Sequence, residues 1–385
     1  MLVNGSETRS IRLAAAHDGS VVPEIIDQTR LPHELRFVTL ETALEAARAI
    51  REMWVRGAPL IGATAAYGIA LAARADASDE ALQAAARALI STRPTAVNLR
   101  WAVHDMLETL APVSEPSREA VAFDRASALA EAEVETWRSI GEHGEGRLAE
   151  LTAARVGGAG VRGLSHCNAG WLATVDWGTA LAPVYRAHRS GIPVHVWVSE
   201  TRPRNQGAGL TAWELAEEGI PHTVVVDNAC GHLLNTGKVD VVITGTDRTT
   251  AAGDVCNKIG TYLKAVAARD CGVPFYVAVP GSSIDWSLGS GQAAEIPIEE
   301  RDGVEVSEVR GVSPGGEWTS VRVTPARSAV ANFGFDVTPA RLVSGLITER
   351  GVCAASHEGL ASLYPERASR AADTERQIAT GDSRP

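Results

Sequence analysis

The chain has little that would suit it to nucleic acid or to a membrane. Its 385 residues carry 36 basic and 47 acidic side chains, and the resulting net charge of -11 repels phosphate backbones and anionic lipid surfaces. No run reaches the roughly 18 uninterrupted apolar residues of a membrane-spanning helix, and Met1 to Leu13 has no apolar signal segment. We therefore expect neither partner and predict a cytoplasmic protein.

Cysteine is also scarce, and its spacing follows no metal or disulfide pattern. There are five cysteines, an odd number, and none forms a CxxC pair. This argues against a disulfide scaffold and a structural zinc site. No other cluster of metal ligands is visible, so we predict neither a metal nor a cofactor. A lone cysteine in a reducing compartment is then a nucleophile, a base or a small buried hydrophobe.

The chain is long enough for two domains, and 45% of its residues are hydrophobic, which is enough to fill two cores. After a few short strands, helical spacing dominates from Glu41 to about Ala153. The predicted strands are Ser10–Leu13, Val22–Asp27 and Leu35–Thr39, and the predicted helices are Ala43–Arg51, Leu60–Arg74, Asp79–Ile90, Val97–Leu110 and Ser117–Leu151. We predict a mainly α-helical N-terminal domain with a small sheet, residues 1–156.

The pattern changes after the glycine-rich stretch Val156–Gly163. Short apolar runs alternating with helical segments predict βαβ units around a parallel sheet. These runs are Val161–Ser165, Val194–Val198, Thr223–Val226, Val239–Ile243 and Phe275–Val279, and further helices are predicted at Pro339–Glu349 and His357–Tyr364. The fold class is therefore α/β, with a parallel-sheet domain at residues 157–365 and a polar tail at 366–385.

Two glycine motifs in this part resemble nucleotide-binding motifs, but each lacks a required feature. Gly158 to Gly163 spells G-x-G-x-x-G, but it precedes a predicted strand, whereas the dinucleotide fingerprint follows one. Gly231 to Lys238 has one residue too many for a phosphate loop, and Val239 stands where Ser or Thr would hold magnesium.

Two chemically able side chains follow predicted strands, at the edge where open parallel sheets bind ligands. Cys167 lies between His166 and Asn168, in a turn whose backbone N–H groups can activate a thiol; the alternative is a buried structural thiol. Asp247 follows a neighbouring strand and directly precedes Arg248. It is either a general acid and base or one half of a structural ion pair.

Three further segments suggest a phosphate site. Arg56-Gly-Ala-Pro59 places proline at a helix start, with free backbone N–H groups and an arginine beside them. Arg93-Pro-Thr95 repeats this arrangement, and Asn257-Lys258 opens the predicted helical run Ile259–Ala268. Each alone fits an ordinary capped helix with a solvated charge. Together they favour a phosphorylated small molecule.

These motifs, taken in order, resemble the S-methyl-5-thioribose-1-phosphate isomerase family over nearly the whole chain, from about residue 24 to 352. The family also shares a superfamily with archaeal ribose-1,5-bisphosphate isomerase and the regulatory subunits of translation initiation factor 2B. The matching segments are Arg56–Gly68, Arg93–Leu99, His166–Gly170, Glu200–Pro203, Gln206-Gly207, Leu210–Leu215, Gly245–Arg248, Gly253-Asp254, Asn257–Tyr262 and Phe335–Pro339.

The resemblance implies a fold, a reaction and a set of site residues. The fold is a helical domain joined to a Rossmann-like domain, in a homodimer. The reaction is an aldose–ketose isomerisation of methylthioribose 1-phosphate in methionine salvage, without metal or cofactor. The family's catalytic residues fall on Cys167 and Asp247. Its substrate contacts fall on Arg56, Gly57, Ala58, Arg93, Gln206, Asn257 and Lys258.

The chemistry gives these residues distinct tasks. A phosphate on the anomeric carbon blocks spontaneous ring opening, so the enzyme must protonate the ring oxygen, a task for Asp247. Hydrogen then moves between C1 and C2, either through a base, for which Cys167 would serve, or as a direct hydride shift. The sequence does not choose between these routes.

Alternative functions stay open beside this one. Ala252 and Asn332-Phe-Gly-Phe-Asp336 depart from the usual family pattern, which leaves the group accepted at C5 open, and 5-deoxyribose 1-phosphate is nearly isosteric. Ribose 1,5-bisphosphate would need a second anion site; the remaining arginines, such as Arg202 and Arg204, are expected on the solvated surface. A non-catalytic regulatory subunit that binds a sugar phosphate is the third alternative.

Overall fold

The computed structural model describes residues 1–16, 19–93, 96–155, 160–289 and 292–370. Residues 371–385 of the predicted tail, 156–159 at the predicted domain boundary, and Pro94 and Thr95 of a predicted phosphate segment lie outside this part. The helices are α1 (Ala43–Arg51), α2 (Ala58–Ala75), α3 (Asp79–Ile90), α4 (Val97–Leu110), α5 (Glu115–Ala153), α6 (Ala182–Arg189), α7 (Ala212–Glu217), α8 (Ala229–Asn235), α9 (Thr261–Asp270), α10 (Val304–Ser307) and α11 (His357–Leu363).

The strands form one large sheet and several small ones. They are β1 (Leu2–Val3), β2 (Ser6–Glu7), β3 (Ile11–Ala15), β4 (Val21–Ile26), β5 (Phe37–Thr39), β6 (Val161–Ser165), β7 (Val194–Ser199), β8 (His222–Val225), β9 (Val241–Thr244), β10 (Arg248–Thr250), β11 (Val255–Lys258), β12 (Phe275–Ala278), β13 (Ile284–Asp285), β14 (Glu308–Val312), β15 (Trp318–Arg322), β16 (Phe335–Thr338), β17 (Gly345–Thr348) and β18 (Gly351–Cys353). The predicted α/β class, with a helical N-terminal region and a largely parallel sheet, is confirmed.

The N-terminal region is built around α2. A capping box of Thr42 and Glu45 starts α1, and Ser78 caps α3, so local sequence fixes where these helices begin. Helix α2 is long and apolar enough, by length and composition, to cross a membrane, but 83% of it is buried inside the protein. It packs against α1, α3, α4 and α5, and the antiparallel sheet β3–β4–β5 also contacts it. These contacts are typical of the central helix of a core.

The long helix α5 joins this region to the large sheet. Its first half packs in the core around α2, while Trp137, Ile140 and Leu148 in its second half belong to the core beneath the sheet. Gly144 lies so close to Pro183 of α6 that a methyl group there would overlap the proline ring. The two parts of the molecule are therefore tied together by one continuous helix.

The large sheet has the order β18–β17–β12–β9–β6–β7–β8 and is parallel except for the edge strand β18. The chain starts in the middle at β6 and moves outward through β7 to β8. It then returns to β9 on the other side of β6 and continues outward through β12. The order reverses between β6 and β9, so the crevice above these two strands is where such a sheet binds ligands.

The helix predicted over Pro339–Glu349 is wrong. A short 3₁₀ turn at Ala340–Leu342 is followed by strand β17, which pairs with β12 and β18. All four residues of β17 are buried. A strand covered on both faces has no polar alternation, so its apolar run resembles one side of a helix.

Candidate active site

Cys167 and Asp247 follow the two strands that meet at the reversal point. Strands β6 and β9 are direct neighbours, with Ser165 opposite Ile243, and each residue follows its own strand by two or three positions. The turn after β9 packs closely on the first loop, since a methyl group on Gly245 would meet Thr179 and Ala169. Both side chains line a single cavity of about 180 Å³.

Cys167 is held in an unusual backbone conformation. Its φ of +62° lies in the left-handed region, which costs a non-glycine residue of order 1–3 kcal/mol and persists only where neighbours enforce it. The Cys167 N–H donates to Thr201 Oγ1 at 2.8 Å, and its carbonyl accepts from Thr211 Oγ1 at 2.8 Å. The thiol donates to Gln206 Oε1 at 3.4 Å. Cys167 is therefore held at its backbone N–H, its carbonyl and its thiol.

The neighbouring His166 serves this loop as a neutral group. Burial, together with the nearby Lys264 charge, lowers the pKa of His166 to about 3. Its Nε2 lies 2.8 Å from the Ile259 carbonyl, so this nitrogen carries the proton. Its Nδ1 lies 3.2 Å from Thr201 Oγ1, a hydroxyl that also donates to the Ser199 carbonyl at 2.9 Å. His166 is thus a structural link between the Cys167 loop and the turn before α9.

Asp247 binds its proton more tightly than a free aspartate does. Its side chain faces the open cavity and is reached by water there, but protein surrounds it on the other sides. This desolvation raises the pKa of Asp247, and the charges of Lys258, Arg56 and Arg93 oppose the rise only in part. Its N–H donates to the Cys256 carbonyl at 3.0 Å, which fixes the turn. A substrate that displaced the water would strengthen the effect.

One end of the cavity is suited to an anion. Helix α2 begins after Gly57, whose φ of +87° is a conformation that glycine adopts without strain, and no side chain caps this end. A methyl group on Gly57 would overlap the Ala173 carbonyl, so only glycine allows this approach. Arg56 lies beside the helix start and donates to the side chain of Asn168 and, at 2.8 Å, to its carbonyl. The N–H groups and the positive end of α2 thus face the cavity.

Lys258 and Asn257 come from strand β11 on the same cavity. Lys258 Nζ donates to the Gly334 carbonyl at 3.0 Å and lies 4.7 Å from the centre of the Phe335 ring. Asn257 is buried and donates to Thr261 Oγ1 at 3.0 Å. Within the described ranges, neither Lys258 nor Arg56 forms an ion pair, so each brings an uncompensated positive charge.

Three further arginines of the wall are paired with carboxylates. Arg93 lies 3.8 Å from Glu299, and burial lowers its pKa. Arg204 pairs with Glu305 at 2.6 Å, and Arg301 pairs with both glutamates at 3.3 and 3.1 Å. Arg204 is exposed, as expected above, and it also lines the cavity. The three arginines share the two carboxylates of Glu299 and Glu305, so each is paired but one positive charge is left over on this side of the cavity.

All nine residues predicted for the site line the one cavity: Arg56, Gly57, Ala58, Arg93, Cys167, Gln206, Asp247, Asn257 and Lys258. Sequence reasoning missed the charged residues Glu299 and Arg301, which come from the segment before β14. It also missed Trp137, whose helix was assigned to the other part of the molecule, and Thr201, although the motif Glu200–Pro203 contained it. No group of His, Cys, Asp or Glu side chains in the described residues could hold a metal ion.

Comparison with known proteins gives a consistent set of relatives. A model of the initiation factor 2 subunit family matches residues 54–355. The chain is 59% identical to a methylthioribose-1-phosphate isomerase of Rhodospirillum rubrum, covering 96% of this chain and 94% of that protein. It is also 59% identical to one from Rhizobium meliloti, over 91% and 96%.

Two solved structures are similar over nearly their whole length. One is 5-methylthioribose 1-phosphate isomerase from Pyrococcus horikoshii, with a TM-score of 0.81, 36% identity and coverage of 94% and 96%. The other is described as the delta subunit of translation initiation factor eIF-2B from A. fulgidus, with a TM-score of 0.77, 39% identity and coverage of 93% and 99%.

Proposed function

The chain belongs to the initiation factor 2 subunit family and, within it, to the methylthioribose-1-phosphate isomerases, and we propose that it converts S-methyl-5-thio-α-D-ribose 1-phosphate to S-methyl-5-thio-D-ribulose 1-phosphate in methionine salvage. One observation carries the proposal. Cys167 and Asp247 face the same cavity at the reversal point of the sheet, and the uncompensated charges of Arg56 and Lys258 face it too.

The substrate phosphate binds at the start of α2. The backbone N–H groups of Gly57 and Ala58 donate to its oxygens, while Arg56 and Lys258 supply charge. Arg93, Gln206 and Asn257 contact the sugar. Such an arrangement holds the anomeric carbon near the two catalytic groups.

Asp247 starts the reaction as a general acid. Its proton passes to the ring oxygen as the bond between that oxygen and C1 breaks, which leaves the sugar open and C1 electron-poor. The ionised Asp247 then accepts the proton of the C2 hydroxyl as the C2 carbonyl forms, so the enzyme ends in its original protonation state. The raised pKa of Asp247 favours the protonated form that the first step requires.

Hydrogen reaches C1 by one of two routes. In the first, Cys167 removes the C2 proton, an enol phosphate forms, and C1 takes a proton back. In the second, the C2 hydrogen moves to C1 with its electron pair, and Cys167 shapes the cavity around it. Both routes leave C1 with two hydrogens and the phosphate ester intact.

Phosphorus and proton NMR in D₂O test the function and separate the routes. The wild type is expected to form ketose 1-phosphate from methylthioribose 1-phosphate. Deuterium at C1 identifies the route through a base, whereas the hydride shift predicts a product without deuterium at C1. If folded wild type gives no product, 5-deoxyribose 1-phosphate and ribose 1,5-bisphosphate are the next substrates, and failure of all three leaves a sugar-phosphate-binding subunit.

We further propose a homodimer in the cytoplasm, with the helical and parallel-sheet parts as separate domains. Helix α9 leaves Tyr262, Leu263 and Val266 exposed, and Leu263 is 70% accessible, so a second copy has an apolar face to cover. All five cysteines are free thiols, as suits a reducing compartment. Light scattering at micromolar concentration would measure the mass; a monomer would contradict the dimer.

A further inference from the structure

The segment from Gln206 through α7 braces the Cys167 loop from behind. It opens with a π-helical turn, Gly207–Thr211, of a kind often found at functional sites. Gln206 Oε1 accepts a hydrogen bond from the Cys167 thiol, and Thr211 Oγ1 donates to the Cys167 carbonyl and accepts from Asn168 Nδ2 at 3.2 Å. These contacts of Gln206 and Thr211 hold the segment against Cys167. The contacts made by Glu214 have no part in the chemistry above.

Glu214 is a carboxyl group with no exposure to solvent. Its Oε1 accepts from the Leu172 N–H at 2.6 Å, and its Oε2 accepts from the Tyr185 hydroxyl at 2.8 Å. Tyr185, on α6, is itself fully buried. Both donors point at the carboxylate, so the ionised group is held between the Cys167 loop and α6.

The fit between Glu214 and the loop leaves no spare room. A methyl group on Gly170 would overlap Glu214 Oε2 and come within 2.7 Å of the Tyr185 hydroxyl. Gly170 is the last residue of the loop that starts at His166, and Leu172 follows two residues later. A change at Glu214 is therefore transmitted to Cys167 through a short, tightly packed backbone.

We propose that Glu214 is a positioning residue for the isomerase, which as a carboxylate fixes residues 170–172 and through them sets the Cys167 sulfur and the contact of Asn168 with Arg56. This inference rests on the proposed function. Glu214 is not part of the cavity wall, so it acts through these residues and not on the substrate.

The charge state of Glu214 links this brace to pH. Burial raises its pKa to about 7, although the bonds from Leu172 and Tyr185 and the charge of Arg56 favour the ionised form. The carboxylate of Glu218 also acts on this pair, since its charge raises the pKa of Tyr185. When Glu214 takes a proton, one oxygen ceases to be a good acceptor and the brace loosens. Activity should then fall on the acidic side of neutrality.

Three variants test the proposal through kcat, KM and pH profiles. In Glu214→Gln, the amide cannot accept from both donors, and we expect kcat to fall by about 10- to 100-fold with KM within threefold. In Tyr185→Phe, loss of one bond to the ionised form moves the acidic limb of the kcat profile up by about 0.4 to 1 pH unit. Glu217→Gln, on the same helix, is the matched control and should behave as wild type.

A second readout needs no turnover. Loosening the loop should expose Cys167, so iodoacetamide should alkylate it at least about threefold faster in Glu214→Gln than in wild type or Glu217→Gln, as measured on its peptide by mass spectrometry. This arm remains valid if the wild type isomerises none of the sugars tested, in which case only the proposed function fails.

Wild-type kcat and wild-type alkylation in Glu214→Gln would overturn the proposal. So would a low kcat in that variant together with an unshifted acidic limb in Tyr185→Phe and unchanged alkylation, since Glu214 would then be an ordinary folding contact. If Glu214→Gln does not fold, Tyr185→Phe decides by the position of the limb.

Discussion

Gly57 is the position where one methyl group should damage both stability and the phosphate site. Its φ of +87° with ψ of 135° is essentially restricted to glycine, so alanine costs about 1–3 kcal/mol in backbone strain. The added methyl also overlaps the Ala173 carbonyl, and overpacking of this kind costs about 1–3 kcal/mol more. Gly57→Ala should therefore lower the free energy of unfolding by about 2–6 kcal/mol. If the start of α2 instead shifts away from Ala173 to relieve the overlap, the anion site should be lost.

The matched control is Gly146→Ala. Gly146 lies in α5 with no atom near the position of an added methyl, so alanine should stabilise the helix by about 0.5–1 kcal/mol. Guanidinium titration followed by tryptophan fluorescence, with KM measured on the same samples, compares the two variants with wild type. If Gly57→Ala unfolded at the wild-type midpoint and kept the wild-type KM, the assignment of this helix start as a glycine-dependent phosphate site would be wrong.

Three other perturbations have defined outcomes. The folded state binds the Asp247 proton more tightly than the unfolded chain does, so the ionised group destabilises the fold increasingly as pH rises. The melting temperature of Asp247→Asn should therefore exceed that of wild type at pH 8, and the difference should shrink toward pH 4.5. An equal gain at both pH values would contradict this. Lys258→Met keeps the apolar contact with Phe335 but removes the charge, and KM should rise about 10- to 100-fold in steady-state assays; an unchanged KM would remove Lys258 from the phosphate site. Burial raises the pKa of Cys256 to about 12, so about one thiol in ten thousand is ionised at pH 8, and peptide mapping should find Cys256 alkylated only after denaturation. Rapid labelling in the native protein would show that this thiol is not buried as described.

The site was predictable wherever local sequence places a residue at a strand end or helix start. Cys167 and Asp247 each follow a short apolar run, and the position just past a parallel strand is fixed by chain direction alone. The proline and glycine at the start of α2 mark the proposed anion site in the same local way. Helices α1 and α3 begin at Ala43 and Asp79, as predicted from the spacing, and Thr42 and Ser78 cap them there.

The parts that were missed depend on contacts between distant segments. Glu299 and Arg301 reach the cavity from a stretch without a periodic pattern, and only the folded chain brings them to Arg93. Trp137 lies on a helix whose two halves belong to different cores. Strand β17 was mistaken for a helix because burial on both faces removes alternation. Hairpin β14–β15 did leave a signal, since Pro314-Gly-Gly316 lies in the turn between its strands.

The most direct measurement compares turnover of methylthioribose 1-phosphate by wild type, Cys167→Ala and Asp247→Asn, with circular dichroism to verify folding and phosphate-ester binding measured in parallel. We expect ketose 1-phosphate from the wild type and a loss of at least about 100-fold in kcat for each variant, with binding retained. A folded variant that binds the substrate and keeps kcat within tenfold of wild type would contradict the assignment of these two residues as the catalytic pair.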